Sequence, residues 1–299
     1  DSGNMNEPYR LKCLLIDKKL NSTLAYLKTL QLSWGSPVEL PKNIYFHSQQ
    51  LLDDLKVIAD DLLSKGFSNA GNGSIKDLIC LVKVFKFHLF SVDIRQNSNR
   101  HGRALAEIFK SEGVLDNYAQ LDPTKKKEFL SEELNKNRPL IPARLKYSED
   151  TCEVVKTFRT MASIAEQQNP EVLSTYIISS TTDAYHILEV LVFAREAGLF
   201  SIKDNYSLID IVPLFEALLP LQSADSIIQQ LLCVPAYIAQ LKYRNNLQEV
   251  MIGYSDSSKE SGMLASSWAL HNSQVRLAKL AIDRGIRIQI FHGRGGAVG

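Results

Sequence analysis

Two carboxylates, two guanidiniums, an amine and an imidazole recur in the sequence at comparable points, each at or just beyond the end of an apolar run. The runs are LFSVDIRQ, TYIISS, LIDIVPLFE, EVMIGYSDSSK and, last, IRIQIFHGRGGAVG. Glu216 and Asp256 close the third and fourth. Two carboxylates at neighbouring strand ends can share a hard divalent cation such as Mg²⁺, which takes oxygen ligands and leaves positions for water and substrate oxygens. The competing reading is that each caps the following helix or pairs with a nearby Lys. Arg95 and Arg294 can each bind a carboxylate or phosphate through two parallel hydrogen bonds. For Arg95 the alternative is a structural pair with Asp93, which points to the same face of a strand. Lys259 could add a cation beside the metal or simply be solvated. His292 could serve as acid, base or anion donor. Arg294 sits between glycines, and a glycine-rich loop after a strand can turn backbone N–H groups toward an anion.

The elements that must carry these groups follow from the hydrophobic period. Up to about residue 86 the signals are helical only. A helix is expected over 9–30, then a loop through Trp34 and Pro41. From Ser48, Leu51, Leu52, Leu55, Ile58, Ala59, Leu62 and Leu63 fall at helical spacing. Gly66 and SNAGNG stop that helix. Ser74 is placed to cap the next, with Ile75, Leu78, Ile79, Val82 and Phe85 as its buried face. At Leu89 the texture changes. Strands are expected over 89–94, 175–178, 208–215, 249–254 and from 286, with helices over 103–111, 123–135, 148–167, 186–197, 223–232 and 261–284. Strand, polar end, helix and strand in repetition is the pattern of a parallel sheet. The expected organisation is an all-α segment over 1–86, then a partial (β/α)₈ TIM-like barrel with inserted helices over 87–299. Helix predominates, and about five of the barrel's eight strands are present. Both barrels and doubly wound sheets gather ligands at strand C-termini, and no GxGxxG follows any strand.

Composition narrows the function classes. The 299 residues carry 34 basic and 33 acidic side chains, a net charge of +1, which gives no drive toward nucleic acid or an anionic membrane. No apolar run approaches the ~20 residues that span a bilayer. Residues 1–10 have neither the basic region nor the apolar core of a signal peptide. Cys13, Cys80, Cys152 and Cys233 lie far apart, without CxxC or zinc-ligand spacing, and read as reduced, buried thiols of a cytoplasmic protein. His47, His88, His186 and His271 read as structural. His101 reads as helix packing or as a neighbour of the first strand end, and Trp34 and Trp268 as core or interface residues.

Taken together the motifs resemble the phosphoenolpyruvate carboxylase family along the whole chain and in the family's order. They are Glu7-Pro8-Tyr9-Arg10; Asp93-Ile94-Arg95-Gln96 with Arg100-His101; Asn137-Arg138-Pro139-Leu140; and Tyr176-Ile177-Ile178-Ser179. Pro213-Leu214-Phe215-Glu216, Met251 to Ser257, Lys259 and Phe291-His292-Gly293-Arg294-Gly295-Gly296 complete the set. The resemblance implies an eight-stranded α/β barrel among many helices and the reaction of phosphoenolpyruvate with bicarbonate to oxaloacetate and phosphate, dependent on Mg²⁺ or Mn²⁺. It implies that Glu216 and Asp256 are metal ligands and that Arg95 and Arg294 bind phosphate and carboxyphosphate. His292 would position bicarbonate or its product, and Lys259 would lie near the metal. It also implies a homo-oligomer, by analogy a tetramer.

The chain matches only the middle of that family. A catalytic His from an N-terminal part, a second glycine-rich Arg loop and the later barrel strands have no counterpart, so the chain on its own is expected to be inactive. Asn97 stands where the family usually has Glu. Ala184-Tyr185-His186 and Val234-Pro235-Ala236-Tyr237 replace other common runs. The alternative is a non-catalytic interaction or regulatory module that keeps the barrel motifs.

Overall fold

The computed structural model describes residues 7–33, 38–167, 172–253 and 255–292, with the backbone alone for Ser255 and Asp256. The chain divides into two compact units, residues 1–91 with 166–172 and residues 92–165 with 173–299.

The described part of the first unit is helical. Helix α1 (Pro8–Leu32) starts with Pro at its first turn, where the missing N–H costs nothing. Helix α2 (Ser48–Ser64) buries Leu51, Leu52, Leu55, Ile58 and Ala59, the stripe its period announces. A four-residue helix α3 (Ser68–Gly71) interrupts the expected loop. Helix α4 (Ser74–Phe85) has Gly73 at its N-cap, so Ser74 is its first helical residue and not its cap. Of the face assigned to α4, Ile79 and Val82 are buried, whereas Leu78 and Phe85 are exposed. Ile16, Tyr45 and the α2 stripe form the main apolar cluster of this unit with Ile79 and Val82.

The second unit is built on five parallel strands. They are β1 (Ile94–Asn97), β2 (Thr175–Ser179), β5 (Asp210–Phe215), β6 (Leu247–Ile252) and β7 (Arg287–His292). They lie side by side in that sequence order, so each strand pairs with the one before it in the chain among the five. The registers Arg95↔Ile177, Ile177↔Val212, Phe215↔Ile252 and Ile252↔His292 bring all the C-terminal ends to one edge. Helices return the chain between them: α5 (Ser98–Ser111), α6 (Pro123–Leu134) and α7 (Glu149–Gln167) after β1, then α8 (Ala184–Glu196) after β2. Helices α9 (Leu218–Leu231) and α10 (Pro235–Tyr243) follow β5, and α11 (Ser255–Ser261) and α12 (Met263–Arg284) follow β6. Among the described residues side-chain caps start several of them, α7 included, where Ser148 Oγ accepts from Thr151 N at 3.4 Å. Asn97 accepts from Asn99 N at 2.9 Å, Asp122 from Lys125 N at 3.0 Å and Asp183 from Tyr185 N at 3.4 Å. The arrangement is a helix-rich α/β unit around a parallel sheet.

The sheet has two unlike faces, as strand alternation requires. Tyr176, Ile178, Ile211, Phe215, Val250 and Ile252 join the large core shared with the helices. Helix α8 is buried along nearly its whole length, Ala184 and His186 to Ala194, the mark of a central helix. The opposite face carries a small cluster of Ile177, Val212 and Leu214, with Met251 and Phe291 against it. Arg95 shares that second face through its register with Ile177.

Several elements depart from the sequence expectation, each for a local reason. Residues 89–93 are not strand. Leu89 has φ 65°, a left-handed conformation that breaks an extended run, and its side chain is 67% exposed. A short hairpin, β3 (Phe200–Ser201) with β4 (Tyr206–Ser207), precedes β5, so that strand starts at Asp210 and not at 208. Helix α10 starts at Pro235, and the helix expected over 261–284 runs as α12 from Met263, with a separate helix α11 before it and Gly262 (φ 81°) between them. The cysteines are not buried: Cys13, Cys80 and Cys233 are exposed and Cys152 is half-buried, all four free. Trp268 is 67% exposed against His271 and is not a core residue. Trp34 and Tyr254 lie outside the described residues. No helix among the described residues is long and apolar enough to cross a membrane.

A carboxylate and guanidinium at the strand ends

Strand parity brings Arg95 and Glu216 to the same side. Glu216 follows β5 directly, two residues on from Leu214, which faces the smaller cluster that Arg95 also faces. Across the intervening β2, Arg95 Nη2 donates to Glu216 Oε2 at 3.4 Å. Asp93, two residues back, is not the partner the guanidinium turns to. The other oxygen, Oε1, accepts the backbone N–H of Ser180 at 2.8 Å and the Ser180 hydroxyl at 3.1 Å. Three strand ends therefore meet on one carboxylate.

Ser180 is held in turn. Asn97 Nδ2 donates to its Oγ at 3.0 Å, and the Ser98 hydroxyl donates to its carbonyl oxygen at 2.9 Å. Its φ is 55°, a left-handed conformation that costs a non-glycine residue about 1–2 kcal/mol. That turn aims both the N–H and the hydroxyl of one residue at one oxygen. The fourth strand end closes from the other side. Gly253 N donates to Phe215 O at 2.9 Å, and a Cβ at Gly253 would lie 2.7 Å from Glu216 Cβ and 2.8 Å from its Cα. Only glycine lets the chain leave β6 this close to the carboxylate.

The Arg95 side chain is 50% exposed and that of Glu216 is 19% exposed. At 3.4 Å and half in solvent, this pair is worth about 0–1 kcal/mol, so a stronger ligand can displace either partner from the other. The two hydrogen bonds from Ser180 are shorter and better sheltered. Oε1 is committed to the protein and Oε2 is the exchangeable oxygen.

The remaining assigned residues stand as follows. Lys259 is exposed on α11, seven residues beyond the last residue of β6. His292 ends β7, paired in register with Ile252, and is exposed. Alternation sets His292 with Ile288 and Ile290 on the helix-facing side, while Phe291 takes the side that Arg95 and Glu216 share. Asp256 is the second residue of α11, and its side chain lies outside the described residues. Arg294, with the whole loop after His292, also lies outside them. The structure thus joins Arg95 to Glu216, places Lys259 on the helix that follows β6, and places His292 at the end of β7 on the opposite face from that pair.

Among the described residues no three His, Cys, Asp or Glu side chains form a ready metal cage. Glu216 nevertheless fits a hard divalent cation by donor chemistry. It is an ionisable oxygen donor fixed through one oxygen, with the other half of the carboxylate at an open strand edge, which is how such ions are taken with water and ligand oxygens in the remaining positions.

Sequence reasoning missed Ser180 and gave Asn97 no role. Each is the first residue after a strand or its last member, polar, and followed by a helix or turn; that was the signal available. It did place His101 among packing residues, and His101 is buried with Nε2 2.8 Å from Tyr176 OH. Burial holds its imidazole down at about 3 and that of His186 at about 4, with cationic neighbours adding to both. In the same buried core, burial pushes the Glu189 carboxyl up to about 8, with Tyr118 OH donating to Oε1 at 2.8 Å. A second ion cluster lies at the C-terminal end of α8. The fully buried Glu133 accepts from Lys136 at 2.9 Å and Arg138 at 3.1 Å, with Arg195 at 3.6 Å. The Arg138 of the Asn-Arg-Pro-Leu run is therefore engaged in this cluster.

Comparison with known proteins bears on this site. The phosphoenolpyruvate carboxylase family profile matches residues 1–299. A phosphoenolpyruvate carboxylase of Roseiflexus castenholzii is 44% identical over 296 residues, 99% of this chain and 31% of that protein. Those of Gloeobacter violaceus and Nitrosomonas eutropha are 38% and 33% identical, over 99% and 100% of this chain and 32% of each relative. The chain spans about a third of the length of the curated relatives it matches.

Proposed function

Because the chain belongs to the phosphoenolpyruvate carboxylase family, we propose that it forms part of the site where phosphoenolpyruvate and bicarbonate become oxaloacetate and inorganic phosphate. The observation that supports this most is the meeting of Arg95, Ser180 and Glu216 at the C-terminal ends of three adjacent parallel strands. That is where an α/β barrel does its chemistry, and we read the five strands as a partial (β/α)₈ barrel.

In this reading Glu216, with Asp256, holds Mg²⁺ or Mn²⁺. When bound, the cation supplies positive charge to the phosphate and enolate oxygens as they gain negative charge. The chain's own groups do the rest. Bicarbonate attacks phosphorus, the enolate oxygen leaves, and the products are carboxyphosphate and pyruvate enolate. Arg95 and Arg294 take the phosphate-side oxygens, whose charge grows during transfer, so they bind the transition state better than the ground state. Carboxyphosphate then releases CO₂, and the enolate carbon attacks it. By the family resemblance His292 orients bicarbonate or the species derived from it, although strand alternation sets it on the other face of β7 from Arg95 and Glu216, and Lys259 adds positive charge beside the metal. The loose contact between Arg95 and Glu216 suits this division, since the cation and the anionic substrate can each take one member of the pair. The chain spans about a third of the length of the relatives it matches, and in this reading it does not turn over by itself.

The test is a chimera in which this chain replaces the matching third of the Roseiflexus relative, with oxaloacetate followed by coupled NADH oxidation. The chimera is expected to carboxylate phosphoenolpyruvate, and Glu216→Gln within it to lose that activity. A folded chimera without bicarbonate-dependent oxaloacetate formation would contradict the proposal.

A further inference from the structure

The most unusual residue at the strand ends is one that the assigned chemistry does not use. Ser180 holds a left-handed backbone with φ 55°, and four hydrogen bonds converge on it. Two leave it for the same atom, Glu216 Oε1, at 2.8 Å from N and 3.1 Å from Oγ. Two arrive, from Asn97 Nδ2 to Oγ at 3.0 Å and from Ser98 Oγ to the carbonyl at 2.9 Å. A hydroxyl has one proton to donate. The Asn97 amide can only donate to Ser180 Oγ from Nδ2, so the hydroxyl proton is turned toward Glu216. The same Asn97 offers its other amide atom, Oδ1, to Asn99 N at 2.9 Å, which fixes which way round the amide lies.

We propose that Ser180 is a positioning residue. With Asn97 behind it, it commits one oxygen of Glu216 to the protein and presents the other, on the Arg95 side, to the divalent cation. The inference rests on the reading of Glu216 as a metal ligand. A carboxylate free to rotate presents either oxygen, or both, and spends time in orientations that do not bind. One locked through Oε1 has a single binding oxygen already in place. The backbone strain at Ser180 is explained on the same terms, because an extended serine at this point would send its N–H and its hydroxyl in different directions. The device also separates two functions along the chain: Asn97 caps α5 with one side-chain atom and orients Ser180 with the other.

The test uses Mn²⁺ alone as probe, with free Mn²⁺ read by electron paramagnetic resonance in titrations of the purified 299-residue chain. Thermal unfolding is read on every variant. Ser180→Ala removes the hydroxyl and keeps the N–H. Asn97→Ser keeps a helix cap and loses the reach to Ser180. Loss of a partner that orients a metal ligand weakens affinity by about 10- to 100-fold, so Ser180→Ala is expected to weaken Mn²⁺ binding by about tenfold. Asn97→Ser should weaken it less, and the double variant should bind no worse than Ser180→Ala, because both changes act through one hydroxyl. A purely structural serine would lower the melting temperature and leave Mn²⁺ affinity at the wild-type value. That result, with Glu216→Gln abolishing binding, overturns the inference and leaves the metal assignment standing. Glu216→Gln binding Mn²⁺ as wild type overturns the assignment and the inference with it. If Ser180→Ala fails to melt cooperatively, Asn97→Ser decides, and wild-type affinity in that variant overturns the proposal.

Discussion

Replacing Gly253 with alanine should move Glu216, and the size of the effect follows from the distances. The added Cβ would stand 2.7 Å from Glu216 Cβ and 2.8 Å from Glu216 Cα. Non-bonded carbons settle at about 3.5–4.0 Å, so roughly 0.7–1.3 Å must be found between the ends of β5 and β6. Neither contact atom is the tip of a flexible side chain. Both belong to the root of Glu216, in the segment where Gly253 N is bonded to Phe215 O. Overpacking of this kind costs about 1–3 kcal/mol, or about 3–10 °C in melting temperature for a unit of this size. The displacement carries the carboxylate away from Ser180 and Arg95, and a shift near 1 Å at a functional group can cost about 10²-fold. The assay pairs thermal unfolding with a Mn²⁺ titration. Gly285→Ala is the control: Gly285 closes α12 with φ 63° and has nothing within 4 Å of an added Cβ. It should lose stability by backbone strain alone and keep its Mn²⁺ affinity. Gly253→Ala should lose both. Wild-type Mn²⁺ affinity in a folded Gly253→Ala protein would refute the link between this glycine and the carboxylate.

Three further outcomes are expected. Glu133→Gln removes the charge that Lys136, Arg138 and Arg195 share at a fully buried position; a loss of about 3 kcal/mol is expected, read by denaturant unfolding, and a change below about 0.5 kcal/mol would contradict it. Glu189→Gln should stabilise the protein increasingly as pH rises. With its carboxyl raised to about 8 and an unfolded value near 4.3, the native state holds a proton that the unfolded state has released, so wild-type stability falls between those values and is level above about 8. The glutamine variant should lack that slope, and parallel stability curves for the two proteins would exclude it. The buried His101 and His186 act in the opposite sense: their lowered values, about 3 and 4, mean that the unfolded state takes up protons first as pH falls through about 6.5, so the pH profile of His186→Asn should be flatter below pH 6.5 than that of wild type.

The parallel sheet was legible because its strands are apolar runs ending in polar residues, and those ends do meet on one edge. The pairing of Arg95 with Glu216 was not, since it joins residues far apart in the chain across an intervening strand. Residues 89–93 misled because Leu89, Phe90 and Val92 read as strand by composition, while the backbone at Leu89 turns left-handed. Hairpin β3–β4 has two-residue strands, too short to show a period. Helix α10 went unassigned, although Pro235 at its first helical turn is a start signal. Ser180 had only its place at a polar strand end as a signature: nothing in TYIISSTT marks which serine takes a positive φ. Gly253 lay inside a motif, but its reason appears only when β6 is set beside β5 in register. The motif resemblance supplied what periodicity could not, namely the family, and the family match over residues 1–299 shows it.

The central claim is that Glu216 and Asp256 hold a divalent cation at the ends of β5 and β6. Calorimetric titration of Mn²⁺ into the wild-type chain, Glu216→Gln and Asp256→Ala tests it most directly. The account predicts one site in the wild type and binding at least about tenfold weaker in each variant. Micromolar binding that survives either substitution unchanged would contradict it.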